Sequence, residues 1–220
     1  MGWTLQAEFA RRGDFGVRRG LAHSPLCHPD VQRLLVLDQD PAVREAMAIR
    51  PDLSPELQWQ LSYDDDPDVI YALANRENLD PALQYGLAHD GNDQVRWSVA
   101  HRGALFPDII KELARDSECW VRRTIANRRD LAPDVIAILA QDEDPAVRRI
   151  MAVKPKIEPE VEHYLANDPE YWIRVELARR PHLTREILLL LTEDPHPAVR
   201  KAAERRESNE IDDDAWVPKL

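Results

Sequence analysis

The stretch DEDPAVRRIMAVKPKIEPEVEHYL, residues 142–165, decides how the chain reads. It is punctuated by proline and laden with paired charges, yet apolar residues recur in it at fixed points. With Val147 as anchor, steps of 26 residues backwards land on Val121, Val95, Val69, Val43 and Val17, and forwards on Ile173 and Val199. Eight anchors at one spacing, without an insertion, define an internal repeat, which is the signature of a stacked array. Other columns keep the same register. Ala stands five residues after the anchor from Ala22 to Ala178, and only the last repeat departs, with Glu204. Ten after comes an aliphatic residue (Leu53, Leu79, Leu105, Leu131, Ile157, Leu183), with Cys27 in the first repeat; eighteen after comes Leu from Leu35 to Leu191.

Each unit reads as two short helices. The first opens at Asp-Pro, as in Asp40-Pro41, Asp66-Pro67 and Asp144-Pro145. Asp accepts the orphan amides of a helix start, and Pro is preformed for the first helical position. A second Pro (Pro25, Pro51, Pro155, Pro181) closes it, because the residue before proline is driven out of the helical region. The second helix opens at Pro29, Pro55, Pro81, Pro107, Pro133 or Pro159 and ends near the Leu column. Helices this short do not persist alone, so neighbouring units must bury the Val, Ala and Leu columns as one continuous core. Some of them are expected to be 3₁₀.

The pattern D-x-D-P-x-V-R-x-x-[LIM]-A-x-[RN]-P-x-L-x-P-[DE]-[VLI]-x-x-x-L, seen in residues 142–165 and again in DQDPAVREAMAIRPDLSPELQWQL at 38–61, resembles the leucine-rich repeat variant family. The resemblance covers about residues 17–206. It implies an all-α, right-handed solenoid of eight two-helix repeats, with alternating α and 3₁₀ helices and no sheet. It also implies an N-terminal iron–sulfur module with clustered cysteines, but the only cysteines here are Cys27 and Cys119. That cofactor is therefore not carried over, and no cofactor is expected. Residues 1–16 are read as an N-terminal cap laying Trp3, Leu5 and Phe9 on the first repeat. Residues 17–206 form the array. Residues 207–220 are an acidic tail or cap, in which Ile211 and Trp216 either cover the open end or form a peptide that another protein reads.

Two basic columns stand out. The residue after the anchor is Arg in seven of eight repeats (Arg18, Arg44, Arg96, Arg122, Arg148, Arg174, Arg200), with Ile70 the exception. On a helical wheel it lies about 100° from the anchor, inside the apolar arc. A half-buried guanidinium needs a partner, and an Asp column five residues before successive anchors offers one: Asp38, Asp64, Asp90, Asp116, Asp142, Asp168 and Asp194. The expectation is an Arg–Asp ladder, with Asp142 first in line for Arg148. The second column, seven after the anchor, is Arg50, Arg76, Arg102, Arg128, Lys154, Arg180 and Arg206. It has three readings: caps on helix-end carbonyls, partners of the same acids, or an exposed basic stripe.

A binding surface is sought where columns vary. Positions one before, two after and six after the anchor face out on the wheel. They hold Tyr71 and Asn75; Gln94, Trp97 and His101; Trp120, Arg123 and Asn127; Arg149 and Val153; Trp172 and Arg179. Aromatic residues beside Arg on an outward face make typical interaction anchors. The competing reading is that some of them pack on neighbouring helices.

Composition trims the alternatives. A net charge of 29 − 40 = −11 disfavours nucleic acid, whose phosphates need positive surface. No apolar run approaches the roughly 18 residues of a membrane span. Two distant cysteines make no disulfide framework, and a reducing, cytoplasmic setting is expected. His23, Cys27 and His28 lie close together, but Cys27 fills a core column. No phosphate-loop, dinucleotide or nucleophile-elbow motif occurs, and no catalytic constellation is found. The leading expectation is a non-catalytic scaffold binding a protein or peptide on an extended face. The alternatives are a nucleic-acid binder using the basic stripe, and a helical-repeat DNA glycosylase-like enzyme.

Overall fold

The structure, a computed structural model, describes residues 2–207 and divides into two compact units at Leu105/Phe106. All its elements are helices, sixteen among the described residues, with no strand. The first unit holds α1 (Trp3–Arg12), α2 (Phe15–His23), α3 (Pro29–Leu35), α4 (Pro41–Ala48), α5 (Pro55–Leu61), α6 (Pro67–Ala74), α7 (Leu83–Ala88) and α8 (Asp93–Ala100). The second holds α9 (Pro107–Leu113), α10 (Cys119–Ala126), α11 (Pro133–Leu139), α12 (Pro145–Ala152), α13 (Pro159–Ala166), α14 (Tyr171–Ala178), α15 (Arg185–Thr192) and α16 (Pro197–Glu207). In the first unit α2, α4, α6 and α8 stack in succession; in the second, α10, α12, α14 and α16 do so. The stacking of like helices on like is the solenoid that the 26-residue period demands.

The apolar columns make the core. Seven of the eight anchors, from Val43 to Val199, are fully buried, as are Met47, Leu73, Val99, Ile125, Met151 and Leu177 four residues further on. Val17 alone stays exposed, because no helix of the stacking series precedes α2. Asp40, Asp66, Asn92 and Asp144 each accept the amide two residues on, in front of α4, α6, α8 and α12.

Two expectations change. No 3₁₀ segment occurs among the described residues, because Pro at the first turn and burial of one face hold even seven-residue helices in α geometry. Single i→i−3 bonds occur at helix ends, as at Leu57 N–H to Ser54 and Asp64 N–H to Leu61. Second, Trp3, Leu5 and Phe9 are exposed; α1 instead buries Gln6, Ala7 and Ala10 against α2 and α3. Small residues permit the close approach, and Gln6 supplies the polar link. Ile211 and Trp216 lie outside the described residues.

Candidate binding cleft

The Arg–Asp ladder forms, with its partner one repeat further on than first expected. Arg148 Nε and Nη2 grip both carboxylate oxygens of Asp168 at 2.7 and 3.0 Å. Asp142 contributes only its backbone carbonyl, which accepts from Arg148 Nη1 at 2.8 Å. The reason is geometric: the side chain leaves the stack towards the following turn, twenty residues on, while its own turn lies behind it. Arg18–Asp38, Arg44–Asp64, Arg122–Asp142 and Arg174–Asp194 repeat the bidentate pair at 2.6–2.7 Å from Nε. Bidentate geometry is the strong form of this contact. Burial pushes the Asp64 and Asp194 carboxyls up, but hydrogen bonds from Arg44 and Arg174 prevail and hold both below the ordinary value. Arg96 donates to the Asp90 carbonyl. Every Asp of the column also accepts the amide two residues on, as Asp168 does from Glu170 at 2.9 Å.

The second basic column caps carbonyls from the preceding repeat. Arg76 Nη1 donates to Ala48 and Arg50, Arg102 to Ala74 and Arg76, and Arg180 to Ala152 and Lys154. Lys154 donates to the Arg128 carbonyl, and Arg206 to those of Arg180 and Pro181. Arg50, Arg76, Lys154 and Arg180 are buried, so the exposed basic stripe is corrected: helix-end carbonyls with no intrahelical donor draw the cations inwards. Arg50 and Arg128 add an acid of their own turn, Asp52 and Asp130. Burial lowers the Arg76 and Arg180 pKa values and takes Lys154 to about 8, against a weaker upward pull from Asp130.

Sequence reading missed a third inward polar column, Gln6, Gln32, Gln58, Gln84 and Glu162, all buried. Gln58 Nε2 reaches the Asn78 carbonyl and its Oε1 accepts the Asp80 amide; Gln6 does the same with Leu26 and His28, and Glu162 accepts the Thr184 amide. The signal was present, since four glutamines stand 26 residues apart.

The outward columns divide. In the second unit Arg123 and Asn127 of the α10 end, Arg149 and Ile150 of α12, and Trp172 of α14 line one open cleft of about 260 Å³, floored by Ala146 and Val153. Val153 is buried, not outward, because it sits at the α12 C-cap beneath the cleft. Glu176 bridges Arg149 at 3.3 Å and Arg179 at 3.6 Å. Trp172 is half-buried, with Nε1 donating to Glu170 at 3.0 Å. Arg123 is exposed and makes no ion pair among the described residues. Trp120 is exposed but does not line the cleft. In the first unit Trp97 and His101 pack against each other with their rings tilted by 60°, centroids 4.2 Å apart, and Tyr71 is half-buried with its carbonyl capped by Asn75. His101 and Asn75 line a separate concavity of about 510 Å³. The described residues hold no group of three or more His, Cys, Asp and Glu placed to bind a metal, and no helix long and apolar enough to cross a membrane.

Stacked helix pairs with an inter-repeat Arg–Asp ladder define a helical-repeat protein of the solenoid class. More particularly, a solved structure described as a leucine-rich repeat variant with a novel repetitive structural motif superposes with a TM-score of 0.71 at 27% identity, over 92% of this chain and 81% of that one. The resemblance to the leucine-rich repeat variant family therefore holds in the fold. Neither a protein-family model nor a curated protein matches the chain.

Proposed function

We propose that this helical-repeat scaffold is non-catalytic and takes an acidic, apolar-flanked peptide segment of a protein partner in the cleft between α10, α12 and α14. The observation that carries the reading is convergence. Arg123, Asn127, Arg149 and Trp172, drawn from three successive repeats, line one concavity. Two guanidiniums lining one cleft with a half-buried indole suit a carboxylate beside an apolar side chain. Glu176 holds Arg149 and Arg179 in place without neutralising Arg123. The nucleic-acid reading needed the basic column seven after the anchor at the surface, and that column is occupied with carbonyls. A cytoplasmic setting fits two free cysteines.

The test is peptide selection on the immobilised full chain. Enriched peptides are expected to be acidic with an aromatic or aliphatic residue nearby, and to lose at least about tenfold in affinity to Arg149→Glu, the order of a removed charge-assisted bond. Peptides that bind Arg149→Glu and Trp172→Ala as well as the parent chain place the surface elsewhere.

A further inference from the structure

One member of the carbonyl-capping column differs from all the others. Arg50, Arg76, Arg102, Arg128, Arg180 and Arg206 are guanidiniums, and Lys154 is the single amine. Lysine meets the structural duty less fully than arginine does. Arg76 and Arg180 each cap two carbonyls, 26 and 28 residues back. Lys154 Nζ has one acceptor among the described residues, the Arg128 carbonyl. Capping alone therefore does not account for the exchange. What the exchange adds is chemistry: a guanidinium stays protonated, whereas a desolvated lysine is a nucleophile and the residue that forms imines. Burial brings the Lys154 ammonium to about 8, so part of it is free amine near neutral pH.

Lys154 also stands beside a space that can hold a small molecule. It lines a cleft of about 340 Å³ bounded by the α10–α11 turn, α11 and the α12–α13 turn. That volume lies in the range of small-molecule sites. Leu131, Ile136 and Ile157 give the cleft an apolar wall. Arg129 and Lys156 line it too; both are exposed, and neither makes an ion pair among the described residues. Glu158 is the one acid in the lining. Asp130, whose charge reaches Lys154, is held by Arg128 at 2.9 Å. The concavities beside Arg50 and beside Arg76 and Arg102 contain no amine. Only here do an apolar wall, two unpaired cations and a buried lysine share one cleft.

We propose that this cleft takes a small aldehyde or ketone with an apolar body and a phosphate group, and that Lys154 holds it covalently as an imine. The apolar body lies against Leu131, Ile136 and Ile157, and Arg129 and Lys156 receive the phosphate, since a dianion suits two cations. Nζ, as the free amine, adds to the carbonyl carbon. A C=N bond replaces C=O, and the two amine protons leave with the carbonyl oxygen as water. The step needs no oxidant or reductant, and hydrolysis reverses it. The bond to the Arg128 carbonyl fixes Nζ before attack, and the incoming carbon takes the amine lone pair.

The test uses pyridoxal 5′-phosphate on the full chain at pH 8, with cyanoborohydride to reduce the imine, and peptide mass spectrometry to locate the label. Lys154 is expected to be modified at least about tenfold faster than Lys111 and Lys201, with a rate that saturates as the probe is raised. Arg129→Glu should raise the half-saturating concentration by about tenfold, the order of one lost charge-assisted bond. Pyridoxal without the phosphate should be weaker by a similar factor. Lys154→Arg restores the column's usual residue, keeps the thermal midpoint within about 2 °C, and should abolish saturable labelling. Labelling of Lys154 no faster than Lys111 overturns the proposal. So does a rate linear in probe, or one indifferent to Arg129→Glu and to the phosphate, either of which leaves a reactive lysine without a binding site. Saturable labelling that persists in Lys154→Arg places the site on another amine and equally defeats it. Peptide binding at Arg149 is a separate readout, so either reading can fail alone.

Discussion

Two places along the repeat answer the same question in opposite ways. In the second unit Arg148 spans to Asp168, whose side chain has no solvent exposure at all, and the pair is bidentate. In the first unit the same column holds Ile70, half-buried, and Asp90 accepts the Asn92 amide at 2.8 Å but no arginine. The Asp therefore has two separable duties. One is local and constant, receiving the amide that shapes the turn before the first helix. The other, gripping the preceding repeat, is optional. Where Arg is absent, an aliphatic residue fills the space and Asp90 remains half-exposed to water. A buried ion pair and an apolar filling are close in net stability; an unpaired buried ion is not.

The largest effect should come from breaking the closed rung. Arg148→Ala leaves Asp168 buried and unpaired and is expected to cost about 3–5 kcal/mol in urea unfolding. A loss below about 1 kcal/mol would show that Asp168 finds water or another donor, and that the ladder contributes little. Copying the open form instead, with Arg148→Ile and Asp168→Asn together, keeps the turn acceptor and removes the charge. That double variant should lose only about 1 kcal/mol, so a double loss matching the single one would contradict the equivalence of the two forms.

The other basic column sharpens the contrast, because its cations face carbonyls. Lys154 titrates near pH 8 when folded against an ordinary 10.5. The unfolded chain thus binds more protons between those values, and this lysine's contribution to stability rises as pH climbs from about 8 to 10.5. Below pH 8 both states are charged and the cost of burying the ammonium is constant. The rise is expected to be about 1–2 kcal/mol, solvent near the ammonium screening part of it. Lys154→Met should remove it from the parent-minus-variant difference. A difference flat across that range means the ammonium is not desolvated.

Most of this architecture was legible because a stack repeats its grammar: the anchors, the Ala and Leu columns and the helix-opening Asp-Pro recur at one spacing. Arg148 was legible as inward but not in its partner. A wheel gives direction around one helix and says nothing of how far the next turn lies, so Asp142 and Asp168 were equivalent on paper. The fate of Arg76 and Arg180 was open for the same reason: their acceptors are backbone carbonyls 26 and 28 residues back, which carry no side-chain signature. Of the outward residues, the wheel found Arg123, Asn127, Arg149 and Trp172, but not that Trp120 stands apart from their cleft. Which of two neighbouring outward side chains lines a concavity depends on the packing of three helices at once.

The smallest expected effect tests the comparison from the other side. Ile70→Arg would give the open rung its missing cation. The new side chain has a template in Arg44, which uses Nη1 on the Asp38 carbonyl and its fork on Asp64. At position 70 the corresponding groups are the Asp64 carbonyl and the Asp90 carboxylate. The gain is a charge-assisted fork to an acid already fixed by its turn; the loss is the half-buried Ile surface. Because Asp90 is partly solvated, the surplus should be no more than about 1 kcal/mol, a rise of about 2–4 °C in thermal midpoint. A fall of similar size would mean that the first unit has packed around Ile70 and no longer has room for a rung. The two forms would then be alternatives fixed by their neighbours, and not interchangeable parts of one column.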